Sequence, residues 1–92
     1  MIQYIKEGVD LRDLHPKIWD ALIAAAWYYG SLKHQFTVTC GQDGAHMRGS
    51  RHYNGRAVDL RVRMIPVDVR EVFVEGLKRR LGWGYDVVLR PD

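Results

Sequence analysis

Ala57-Val58-Asp59-Leu60-Arg61-Val62-Arg63-Met64 alternates its side chains with a period of two. Successive side chains of an extended strand point to opposite faces, so Val58, Leu60, Val62 and Met64 fall on one face. Ala57, Asp59, Arg61 and Arg63 fall on the other, which sends the Asp59 carboxylate away from the core. Upstream, Phe36-Thr37-Val38-Thr39-Cys40 has the same period. It predicts a second strand with Phe36, Val38 and Cys40 on its buried face. Cys40 is then a structural residue rather than a reactive one.

Working outward, Leu11, Leu14, Ile18, Leu22, Ala25 and Tyr29 recur at three-and-four spacing. This predicts a helix with Asp13 or His15 as its cap, Pro16 in its first turn and Gly30 just past its end. Ala24-Ala25-Ala26 gives it a thin face for close packing, and Trp19 and Trp27 add bulk elsewhere. Pro66 opens a second helix running to about Leu81, with Val69, Val72, Phe73, Gly76 and Leu77 as its stripe. Glu75 and Arg79 are spaced to pair, and Gly82 stops the helix. Tyr85 to Leu89 reads as a last strand before Pro91. The order is helix, strand, long loop, strand, helix, strand. It predicts an α+β fold in which a small antiparallel sheet packs with two main helices.

Ninety-two residues, 47% hydrophobic and 27% charged, suit one domain with one core and carry no signature of disorder. The net charge of +3 favours polyanions without choosing among them. Beyond Lys78-Arg79-Arg80 no basic helix face or nucleic-acid motif is present, so nucleic acid is not an expected partner. Ala21 to Tyr29, the longest apolar stretch, falls well short of the roughly 20 residues that span a bilayer. The first residues lack a signal-peptide layout. Synthesis in the cytoplasm is expected, with no membrane insertion. A single Cys40 rules out an intrachain disulfide.

Between the two strands lies Gly41 to Gly55, with four Gly and two His and no apolar period. Loops of about 15 residues are uncommon in compact domains unless they carry function. At its end His52 is followed by the Asn54-Gly55 turn signal and then by Asp59. Imidazole and carboxylate can thus converge, with the small Ala57 leaving room between them, and this mixed donor set suits zinc. Spacing alone does not separate such a pair from a hydrogen-bonded surface turn.

The fuller pattern Ser50-x-His52-x-x-Gly55-x-Ala57-x-Asp59 resembles the signature of the zinc D-alanyl-D-alanine carboxypeptidases and the L-alanyl-D-glutamate endopeptidases of phage lysins. Thr37-Val38-Thr39-Cys40-Gly41 is similar to the strand and turn before that signature, and Gly84-Tyr85-Asp86-Val87-Val88-Leu89 to the strand after it. The resemblance implies a Hedgehog/DD-peptidase-like fold, with residues 1–92 as a single zinc peptidase domain. It implies zinc as cofactor, His52 and Asp59 as metal ligands, Asp92 as catalytic general base, and a peptidoglycan stem peptide as substrate. It also implies an enzyme that reaches the cell wall only when delivered there, either a phage lysis enzyme or one of bacterial origin.

The family's third ligand, a His, corresponds to a position three residues beyond Asp92. Either a C-terminal ligand segment lies outside this sequence, or the site is completed by another residue, or it is inactive. His46, on the same loop as His52, is the internal substitute, or else a hydrogen-bonding group within the loop or toward substrate. The family's Ser-Gly-x-Arg turn corresponds to Cys40-Gly41-Gln42-Asp43, so carboxylate recognition falls to Arg48 or Arg51 if these are more than solvated loop charges. Ser50 either donates to substrate or holds the turn. Trp83 and Tyr85 line the cleft or pack in the core, with at least one expected in the core. The rival reading is a non-catalytic module that binds cell wall or a partner through Arg48, Arg51 and Arg56 and keeps a structural or vestigial metal site.

Overall fold

Pro16 starts helix α1 (Pro16–Ser31) in the computed structural model, whose described residues are 3–12, 14–41 and 57–89. Its ring fixes φ near the helical value, and the N–H it lacks would have no partner in a first turn anyway. His15 is the cap: its Nδ1 accepts from the Lys17 N–H at 3.1 Å. Leu11 and Leu14 precede the helix. Gly30 is inside the last turn rather than past it. The end is tied off instead by N–H groups of Leu32 and His34 donating to Tyr29 O and of Lys33 donating to Gly30 O. Lys33 takes the left-handed conformation, with φ of 62°.

Strand β2 (Phe36–Cys40) has the predicted bounds. It pairs antiparallel with β3 (Asp59–Leu60), as predicted, but β3 is much shorter than the alternation over 57–64 suggests. A further strand, β1 (Gln3–Ile5), pairs parallel with β2, Gln3 opposite Phe36 and Ile5 opposite Val38. The sheet is therefore mixed, in the order β1-β2-β3. Parallel neighbours need a crossover connection, and α1 supplies it. With β2 in the centre, Thr37 is buried along with Phe36 and Val38, while Cys40 is only half-buried.

After β3 the chain folds back through a turn in which the Ile65 N–H donates to Val62 O at 2.9 Å. Ile65, 2% exposed, plugs the core there. Met64, predicted to face inward, is exposed. A short 3-10 turn (Val67–Val69) leads into helix α2 (Arg70–Leu81), and Gly82 with φ of 86° ends it. The buried stripe of α2 is Phe73, Val74 and Leu77, whereas Val69 and Val72 face solvent. Val69 lies in the 3-10 turn rather than in α2, and within α2 the core takes the Val74 side of Phe73 and Leu77 rather than the Val72 side. Glu75 pairs with Lys78 at 3.3 Å, one residue short of the expected Arg79.

The core is aromatic where the helices meet the sheet. Tyr29, fully buried, stands edge-on to Phe36 and Phe73 at 5.2 and 5.0 Å between ring centroids. Tyr28 packs on Phe73 at 5.0 Å and donates its hydroxyl to Phe73 O at 2.7 Å, fastening α1 to α2. Such ring pairs add roughly 0.5–1.5 kcal/mol each beyond their burial. Ala25 and Ala26 are buried, as the thin face requires, and Trp19 and Trp27 lie toward solvent. No strand forms over Tyr85 to Leu89. Val87 and Leu89 pack against the core and Val88 is exposed, so the apolar alternation is used for packing without a ladder. Among the described residues no helix is long and apolar enough to cross a membrane.

Candidate functional site

Asp59 is the one proposed site residue within the described part of the chain. His46, Arg48, Ser50, His52 and Asp92 lie outside it, as do Arg51, Arg56 and most of the loop after Gly41.

Asp59 opens β3, and its setting is a β-bulge. Val38 is opposite Leu60, but Cys40 rather than Thr39 is opposite Asp59. Two residues of β2, Thr39 and Cys40, thus face one of β3. Bulges of this kind bend the strand and re-aim side chains, and they recur beside active sites. The extra residue has a second consequence. It lets Leu60 share the core face with Val38 while Cys40 falls out of step with Phe36 and Val38. That explains why Cys40 is half-buried rather than on the buried face, as strict alternation requires.

Three contacts fix the backbone around Asp59. The Thr39 hydroxyl donates to Asp59 O at 3.3 Å. The Arg61 N–H donates to Thr37 O at 3.0 Å. The Tyr29 hydroxyl donates to Arg61 O at 3.2 Å, tying β3 to the middle of the fold. Just beyond, Arg70 donates from Nε to Ile65 O at 2.7 Å and from Nη2 to Arg63 O at 3.2 Å, holding the turn that follows β3. The aliphatic neighbours Val58, Leu60 and Val62 pack against the core as the alternation predicts. Asp59 is half-buried.

A half-buried carboxylate on a strand clamped from both sides is a suitable hard oxygen ligand for zinc, and its strand origin limits its wander. On that test Asp59 fits one position of a zinc site. Among the described residues no group of three His, Cys, Asp or Glu is gathered to hold a metal. The described histidines are used otherwise: His15 caps α1, and the His34 ring stands edge-on to Phe73 at 5.8 Å.

Trp83 is fully exposed and Tyr85 half-buried, so neither is a core residue. The Tyr85 hydroxyl donates to Lys17 O at 2.7 Å, at the start of α1. Two surface depressions, of about 680 and 710 Å³, lie along Gly8 to Arg12 and between Tyr28, α2 and Leu89. Asp59 lines neither. The sequence did not single out Thr39 and Tyr29 as supports of Asp59. Thr39 read as one member of an alternating strand, and Tyr29 as one more apolar position of a helix. No known protein family, curated protein or solved structure matches the chain.

Proposed function

We propose that this chain is a zinc-dependent peptidase acting on peptidoglycan stem peptides. The observation behind the reading is that Asp59, last residue of the Ser50-x-His52-x-x-Gly55-x-Ala57-x-Asp59 pattern, is a half-buried carboxylate at a clamped β-bulge. That is the setting a strand-borne metal ligand needs. His52 and Asp59 are the proposed ligands, with His46 as the internal candidate for a third. Zinc in such a site lowers the pKa of a bound water toward neutrality and polarises a carbonyl.

The remaining roles belong to the chain's own side chains. Asp92 takes a proton from the attacking water and delivers it to the leaving amine as the C–N bond breaks, giving a carboxylate and a free amine. Arg48 holds a substrate carboxylate through its guanidinium fork. Ser50 donates a hydrogen bond to the peptide, and His46 does the same where it is not the third ligand. The substrate bond is either terminal D-Ala-D-Ala or internal L-Ala-D-Glu, and the place of action is a cell wall reached by delivery, as for a phage lysis enzyme.

The test is incubation with zinc and two synthetic stem peptides, one carrying each bond, with products identified by mass spectrometry. Cleavage of either peptide, abolished in Asp59→Ala and in His52→Ala, is expected. If neither peptide is cut while the protein binds purified cell wall, the non-catalytic binding module replaces the enzyme.

A further inference from the structure

Strand β3 is two residues long, and Asp59 is its first residue, so regular ladder support begins only at the proposed ligand itself. Residues 57 and 58 before it belong to no helix or strand. The register on β2 slips at this point, with Cys40 opposite Asp59 and Val38 opposite Leu60. A bulge need not be built on glycine: its first bulged residue commonly lies near the right-handed helical region, which any residue adopts, so the position carries a side chain that can act on the kink. Here the position is Thr39. Its β-branched side chain favours the strand, and its hydroxyl donates across the bulge to Asp59 O at 3.3 Å. On the other side of Asp59 the bonds from Arg61 N to Thr37 O and from Tyr29 Oη to Arg61 O are already in place. The Thr39 hydroxyl is thus a side-chain clamp that acts on the ligand residue's own peptide unit.

We propose that Thr39 is a positioning residue for Asp59, its hydroxyl holding the bulge in the geometry that presents the carboxylate to the metal. The inference rests on the zinc reading of Asp59. It goes beyond that reading by assigning metal affinity to a residue that makes no contact with the metal. Groups that orient metal ligands typically change affinity by 10- to 100-fold when removed. A bond to the ligand's backbone belongs at the lower end of that range, about tenfold.

The experiment is competition for zinc against a fluorescent chelator, using the full chain and its Thr39→Val, Thr39→Ser and Asp59→Ala variants. The visible spectrum of each cobalt-substituted protein and the unfolding of each metal-free protein accompany it. Thr39→Val keeps the shape of the side chain and removes the donor; it is expected to weaken zinc about tenfold and shift the cobalt bands. Thr39→Ser restores the hydroxyl and is expected to bind within about twofold of the parent with its spectrum unshifted. Asp59→Ala is expected to abolish binding. Parent-like zinc affinity in Thr39→Val, with Asp59→Ala still defective, overturns the inference and leaves the zinc reading standing. Equal weakening by Ser and Val also overturns it, since the hydroxyl is then not the active part. Parent-like binding in Asp59→Ala, or none in the parent, overturns the zinc reading itself and this inference with it.

Discussion

Replacing Gly76 by alanine sets two opposite effects against each other, and the structure decides between them. Gly76 sits at the end of the second turn of α2, where alanine is worth about 1 kcal/mol of helix propensity over glycine. A Cβ built there, however, overlaps the Tyr28 hydroxyl and approaches Tyr28 Cζ and Cε1 at 2.9 and 3.2 Å. Tyr28 has little freedom to yield. It is 8% exposed, packs on Phe73 and donates its hydroxyl to Phe73 O at 2.7 Å.

Making room for the methyl means giving up that hydrogen bond, a loss of about 0.5–1.5 kcal/mol. Overpacking at a helix contact adds about 1–3 kcal/mol. Set against the propensity gain, Gly76→Ala should destabilise the protein by about 0.5–3.5 kcal/mol. Denaturant unfolding should show a lower midpoint at unchanged slope. Each kcal/mol corresponds to about 4–8 °C in thermal midpoint for a domain of this size. A double-mutant cycle with Tyr28→Phe isolates the cause. Without the hydroxyl the closest overlap disappears, so Gly76→Ala should cost at least 1 kcal/mol less in that background. Stabilisation of the single variant by about the propensity value would refute the close approach of α1 and α2 at this point.

Two further expectations concern titration. The Arg12 side chain and backbone N–H both donate to the Asp10 carboxylate, at 2.9–3.0 Å, and hold its pKa at about 2 against an ordinary 3.8. A depressed native pKa contributes stability above the unfolded value that is lost as pH falls from about 4 through about 2. In an NMR titration Arg12→Ala should return the Asp10 midpoint toward 3.8, and an unchanged midpoint would remove Arg12 as the cause. Burial, with Tyr28 as a lesser contributor, raises the Tyr29 pKa above its ordinary 10.0. That stability is full below pH 10 and is lost as pH rises further, because the unfolded chain ionises first. Ultraviolet titration of the parent against Tyr29→Phe should show the Tyr29 phenol silent until the protein unfolds, with the substitution costing about 0.5–1.5 kcal/mol; a Tyr29 phenol that ionises near pH 10 in the folded protein would contradict the placement.

Much of the fold is legible because single elements carry strong local signals. Phe36 to Cys40 alternates without interruption, His15-Pro16 opens α1, and Gly82 closes α2 with a positive φ that glycine alone adopts freely. What escapes the sequence depends on partners distant along the chain. Gln3–Ile5 is too short to show a period and becomes a strand only beside β2. Val69 falls in the 3-10 turn Val67–Val69 instead of in α2, which no residue in the turn announces. Tyr85 to Leu89 has a strand's alternation and spends it on core packing. At the candidate site, the spacing from Ser50 to Asp59 and the core packing of Val58, Leu60 and Val62 on either side of Asp59 are written in the sequence. The bulge is not, because neither Thr39 nor Cys40 is a residue that marks one, and the supports from Thr39 and Tyr29 come from other elements.

The most direct test of the zinc reading is metal content per chain after exhaustive dialysis, measured by elemental mass spectrometry for the parent, His52→Ala and Asp59→Ala. The account predicts close to one zinc per parent chain and near none in either variant, with all three proteins folded by circular dichroism. Zinc absent from a folded parent, or retained undiminished in Asp59→Ala, would contradict it.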